Sequence, residues 1–162
     1  MRLRTLFFGV LLGWMPFAWG QGEPALFWPT PNDAFYKGKG VESFIQPTAG
    51  NTVSSGLFGS VRNGGYRFHE GLDMKAVQRN RRGNVSDAIY AALPGTISYI
   101  NRLAGNSGYG NYVVLEHNFN GLSLYTLYAH LASVQRELVA GQRVEAGAKL
   151  GQHVLRARAP HA

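Results

Sequence analysis

Tyr112-Val113-Val114-Leu115-Glu116-His117, followed by Asn120-Gly121 and then Ser123 to Leu131, is the stretch that decides the fold. Its first part is β-branched and aromatic, the composition that packs best on a pleated, half-buried surface. Asn-Gly tolerates the positive φ angles of a two-residue hairpin turn, so the chain is expected to double back there as an antiparallel strand. Along the return strand, alternation puts Leu124, Thr126, Tyr128 and His130 on one face and Tyr125, Leu127, Ala129 and Leu131 on the other.

Working outward, Asp87 to Leu93, Pro94-Gly95 and Thr96 to Ile100 read as strand, tight turn, strand, with Pro presetting φ and Gly accepting a positive value after it. On the other side, Val134 to Leu138 reads as a short helix or turn. Leu138 to Gly151 alternates short apolar runs with Gly141, Gly147 and Gly151. No segment after residue 20 carries a three-turn amphipathic pattern. The expected class is therefore mostly β, an antiparallel β-sheet or sandwich. Residues 21–55, with Pro24, Pro29, Pro31 and Pro47, read as a lead-in segment draped over the domain, with at most a short edge strand near Val41 to Ile45. Residues 56–162 form the domain itself.

A length of 162 residues suits one domain, and 45% hydrophobic residues with 15% charged ones exclude a mainly disordered chain. The net charge of +7 suits a polyanionic partner. Met1-Arg2-Leu3-Arg4 is a basic start, Thr5 to Phe17 a mostly apolar run, and Ala18-Trp19-Gly20 places small residues at −3 and −1 of a cleavage site, so residues 1–20 read as a signal peptide. The apolar run is interrupted by Gly13 and Pro16 and falls short of the ~20 residues that cross a bilayer. No stable membrane span is expected after cleavage, and export to the periplasm, cell envelope or exterior argues against nucleic acid. Loss of Arg2 and Arg4 lowers the charge to +5, still suited to anionic wall polymers. With no cysteine, the fold has no disulfide to hold it.

Among the five histidines, His69 is the most informative. In Phe68-His69-Glu70-Gly71-Leu72-Asp73-Met74, an imidazole and a carboxylate four residues apart lie on one side of an extended segment and could give zinc one nitrogen and one oxygen ligand. The plainer reading is a hydrogen-bonded surface pair. His130, at the end of a strand beside Tyr128, is either a rigidly mounted catalytic group or a half-buried structural histidine. His117 reads as structural, and Glu70 as solvated or as a partner outside the ligand set.

Taken in order, these segments resemble one family. They are Gly56-Leu57-Phe58-Gly59 with Arg62, Phe68-His69-Glu70-Gly71-Leu72-Asp73, Ala91-Ala92-Leu93-Pro94-Gly95-Thr96-Ile97, Gly108-Tyr109-Gly110-Asn111 running into His117, Leu127-Tyr128-Ala129-His130-Leu131, and Gly141-Gln142-Arg143-Val144 with Gly147 to Gly151. The set resembles the lysostaphin-type, LytM-like zinc metallopeptidases that cleave peptide bonds in bacterial peptidoglycan. The resemblance implies a LytM-like metallopeptidase domain, Zn2+ as cofactor and peptidoglycan as partner. It makes His69 and Asp73 two of three protein zinc ligands, and His130 one of two histidines that handle the water proton and the oxyanion.

The family places His-X-His on a late strand, commonly in Pro-His-Leu-His-Phe. Here Pro160-His161 is followed by Ala162. On one reading His161 is the first, catalytic histidine of that pair; on another, Gln152 to Ala162 is not family sequence. Either way the resemblance implies a domain lacking its last strand or strands and one zinc ligand, with impaired activity. The alternative it leaves is a non-catalytic LytM-like domain that binds the wall or activates another hydrolase. Retention of His69, Asp73 and His130 speaks against that alternative, and the missing ligand speaks for it. A biotinyl- or lipoyl-like carrier needs a lysine at a hairpin tip, which Lys149 does not supply.

Overall fold

The structure is a computed structural model that describes residues 25–62 and 65–153. It is mostly β, as expected. Its strands are β1 (Val61–Arg62), β2 (Arg67–Phe68), β3 (Ala88–Tyr90), β4 (Gly95–Asn101), β5 (Asn111–Phe119), β6 (Leu122–Val134), β7 (Arg143–Val144) and β8 (Lys149–His153). Strands β1 and β2 form a small antiparallel hairpin, and the other six form one antiparallel sheet in the order β3-β8-β6-β5-β4-β7. Among the described residues there is no α-helix, and no helix is long and apolar enough to cross a membrane.

The β5–β6 hairpin is the one the sequence announces. Asn120 at φ 50° and Gly121 at φ 84° make its two-residue turn, and Phe119 pairs with Leu122 just inside it. Val113, Leu115 and His117 alternate inward on β5, and Val113 and Leu115 share one core cluster with Ile97 of β4 and Leu150 of β8, all buried. Burying an aliphatic side chain fully stabilises by about 1.5–3 kcal/mol, so this sheet face carries the core. His117 is structural, as expected. It is 4% exposed, its Nδ1 donates to the Pro94 carbonyl at 2.8 Å, and its Nε2 pairs with Thr126 Oγ1 at 2.8 Å. Thr126 continues to the Tyr128 hydroxyl at 3.1 Å, which accepts from the Ala92 amide at 2.7 Å, so the buried polar groups satisfy one another.

Two local expectations are corrected. Pro94-Gly95 is not a tight turn: Gly95 already belongs to β4 and has no positive φ, and β3 and β4 are not neighbours, since β3 pairs with β8, and β4 with β5 and β7. Gly95 answers a packing demand instead. A Cβ there would lie 2.6 Å from both the Glu116 carbonyl oxygen and His117 Nδ1. The strict alternation along β6 also fails. Val113 pairs with Tyr128 but Asn111 pairs with Leu131, so Ala129 and His130 together oppose Tyr112 alone, and the strand bulges. Tyr128 and Leu131, three residues apart, are both buried, whereas His130 is exposed. His130 and Tyr128 therefore do not share a face.

Residues 27–29 and 32–46 make specific contacts with the rest of the chain. Phe27 N donates to Ala92 O at 2.8 Å and Tyr90 N to Pro29 O at 2.9 Å, along the outer side of β3. Val41–Ser43 is a single 3-10 turn rather than an edge strand, and Ile45, 1% exposed, makes one antiparallel bridge to Met74. Asn32, also buried, fastens the segment by donating from its amide to Ser43 O and Lys75 O, each at 3.0 Å.

Candidate metal centre

His69 and Asp73 come together. Both belong to the extended run after β2, with Gly71 between them, and His69 Nε2 lies 3.2 Å from Asp73 Oδ1. The pair is partly buried, with side chains 14% and 25% exposed. Backbone bonds fix the run at both ends: His69 N donates to Ser60 O at 2.9 Å, Asp73 N to Gly56 O at 2.8 Å, and Asp73 O accepts from Gln46 N at 2.7 Å. The lead-in segment therefore holds the site residues as well as the sheet.

Each side chain is also oriented from outside the pair. His69 Nδ1 sits 2.9 Å from the Leu57 carbonyl. A carbonyl only accepts, so Nδ1 carries a hydrogen and the ring turns its Nε2 toward the carboxylate. Asp73 Oδ2 accepts from the Thr48 hydroxyl at 2.6 Å. A ring nitrogen and a carboxylate oxygen then face each other at 3.2 Å. That contact is favourable only with a cation between them, either a proton on Nε2 or a metal ion. Ligand atoms about 2.0–2.2 Å from one tetrahedral zinc ion are separated by a little over 3 Å, so these two donors are spaced as two of its three protein ligands would be. A carbonyl on the far nitrogen of the histidine and a hydroxyl on the far oxygen of the carboxylate are the orienting contacts that metal ligands carry. Sequence reading missed Leu57 and Thr48. Leu57 contributes only its backbone, and Thr48 lies 25 residues from Asp73, so neither leaves a local signal.

Glu70 points away from the pair, as expected for an alternating segment, and its carboxylate accepts from the Tyr109 hydroxyl at 2.5 Å. That bond to an anion holds the phenol proton and pushes the Tyr109 pKa above its ordinary 10.0. His130 occupies the β6 bulge at φ 52°, a left-handed conformation uncommon for residues with a side chain, in which Asn, Asp and His are over-represented. Its amide donates to the Tyr109 carbonyl at 2.8 Å. No group of three or more His, Cys, Asp or Glu side chains is assembled for a metal among the described residues. His161 lies outside them.

Residues 67–161 match the family described as Peptidase family M23. The outer membrane antigenic lipoprotein B of Haemophilus influenzae is 35% identical to this chain over 111 residues, which cover 65% of the chain and 22% of that protein. The chain thus spans about a fifth of the length of this relative. No solved structure matches.

Proposed function

We propose, from the premise that this chain belongs to peptidase family M23, that it is a zinc metalloendopeptidase of the bacterial cell envelope acting on peptide bonds in peptidoglycan. Members of the family are generally zinc-dependent peptidases. The observation that carries the reading is the 3.2 Å approach of His69 Nε2 to Asp73 Oδ1, a ring nitrogen and a carboxylate oxygen spaced as two ligands of one metal ion would be. An envelope location is supported by the name of the relative, an outer membrane lipoprotein. With the signal-peptide reading of residues 1–20, the chain is exported.

In this reading His69 and Asp73 hold the metal, with Leu57 O and Thr48 Oγ1 keeping the two donors aimed at one point. Bound zinc supplies Lewis acidity to a carbonyl oxygen and to water. His130 serves as the proton-transfer group, accepting a proton from the attacking water and delivering it to the leaving amine. Its mounting on a bulge of a paired strand fixes where the imidazole starts. His161 is assigned the second histidine role.

The test is hydrolysis of purified peptidoglycan by the full chain. Soluble peptides should be released, the release should stop with a chelator and return with zinc, and Asp73→Ala should abolish it. Release that survives both chelation and Asp73→Ala overturns the proposal. A second reading, a non-catalytic wall-binding or hydrolase-activating domain, is favoured by the presence of only two converging donors among the described residues. It predicts cosedimentation with peptidoglycan and no peptide release at any zinc concentration.

A further inference from the structure

We propose that Glu70 and Tyr109 form a strut that fixes His130 relative to the His69–Asp73 pair, making Tyr109 a positioning residue for the proton-transfer group. The proposal rests on the reading of His130 given above. Three observations carry it. First, Glu70 is bonded in sequence to His69, and its carboxylate receives the Tyr109 hydroxyl at 2.5 Å across 39 residues of chain. Second, the same tyrosine holds His130 from its other end, through its carbonyl and the His130 amide at 2.8 Å. Tyr109 thus touches the metal loop with its side chain and His130 with its backbone.

Third, the rest of the loop around Tyr109 is built against the bulge. Gly110 takes the left-handed conformation, φ 66°, directly beside the bulge, where a Cβ would be in ordinary contact with His130 Cα at 3.8 Å. Asn101 donates its amide to Gly110 O at 2.6 Å, and Asn111 donates to Leu131 O at 3.1 Å and Ala132 O at 3.3 Å. A histidine at φ 52° persists only where its surroundings over-determine it, and this loop does so. The loop fixes His130 to itself, and the Tyr109–Glu70 bond fixes the loop to the metal segment. Tyr109 is 40% exposed and Glu70 is exposed as well. A hydrogen bond open to water adds little to folding stability, because water replaces it at small cost. Its consequence is geometric.

Tyr109→Phe removes the hydroxyl and keeps the ring that meets Tyr112 edge-on at 6.0 Å between centroids. Glu70→Ala removes the acceptor, and Glu70→Gln keeps one. The measurements on the full chain are hydrogen exchange of the His130 backbone amide, the melting temperature, and kcat and KM for a peptidoglycan peptide. Tyr109→Phe and Glu70→Ala are expected to speed His130 exchange and to lower kcat about 10- to 100-fold with KM unchanged, the size of effect a misplaced group produces. The melting temperature stays near the wild-type value, and Glu70→Gln restores most of both properties. Unchanged His130 exchange in Tyr109→Phe overturns the strut, as does faster exchange with unchanged kcat in an active chain. If the wild-type chain hydrolyses nothing yet His130 exchange responds as expected, the strut stands and the peptidase reading falls.

Discussion

Replacing Thr48 by valine should weaken zinc binding about tenfold and leave the fold intact. The single proton of the Thr48 hydroxyl has Asp73 Oδ2 at 2.6 Å and Ser55 O at 3.3 Å among its acceptors. The shorter, anionic acceptor takes it, since hydrogen bonds to ionised groups are shorter and stronger. Such a bond contributes about 1.5–3 kcal/mol net. Thr48 is exposed, so water refills the vacated position and the lower end applies. At about 1.4 kcal/mol per decade that is a tenfold rise in Kd, within the ~10–100-fold span usual for contacts that orient metal ligands. Valine keeps the branched shape, so the backbone has no reason to move. The assay is zinc titration of the full chain against a competing fluorescent chelator, with Thr48→Ser as the rescue and urea unfolding of the metal-free chain as the control. A Thr48→Val Kd within twofold of wild type, or a Thr48→Ser Kd as weak as that of Thr48→Val, refutes the orienting role of the hydroxyl.

Two further outcomes concern the sheet beneath the site. Gly95→Ala drives a methyl to 2.6 Å from the Glu116 carbonyl oxygen and from His117 Nδ1; neither can give without breaking a buried contact, so a loss of roughly 2–3 kcal/mol is expected in the urea midpoint. Burial pushes the Tyr128 phenol above its ordinary 10.0, with its hydrogen bonds to Thr126 and Ala92 pulling the other way. A raised folded-state pKa means that its contribution is complete below about pH 10 and is lost as pH rises through the folded value. Wild type should therefore lose stability more steeply above pH 10 than Tyr128→Phe does, as read from urea midpoints between pH 8 and 11.

The hairpin and the ligand pair were legible because their signals are local. Asn120-Gly121 specifies its own turn, and His69 and Asp73 reach each other along one short extended run. What escaped is non-local. Alternation on β6 predicts a shared face for Tyr128 and His130, but the bulge is set by pairing with β5, which no count along β6 reveals. Pro94-Gly95 has the composition of a tight turn, yet Gly95 is required by a carbonyl and an imidazole from β5. The insertion of β8 between β3 and β6 likewise brings together strands about sixty residues apart at one side and fifteen at the other. Thr48, Leu57 and Tyr109 act across gaps of 25, 12 and 39 residues, distances over which residue type carries no trace of its partner.

The strap across β3 has a consequence for how the protein survives among its neighbours. A sheet has two outer strands, and an uncovered one invites a strand from another molecule to add on. Here β7, at one side, is only Arg143–Val144, too short to serve as a template. The other side is taken by Phe27 to Pro29, whose contacts fill the free groups of Ala92 and Tyr90. Pro29 and Pro31 offer no amide hydrogen of their own, so the strap ends the sheet rather than extending it. The start of the segment whose later part braces the site thereby guards the molecule against aggregation, and an expression boundary drawn after residue 31 would strip that guard away.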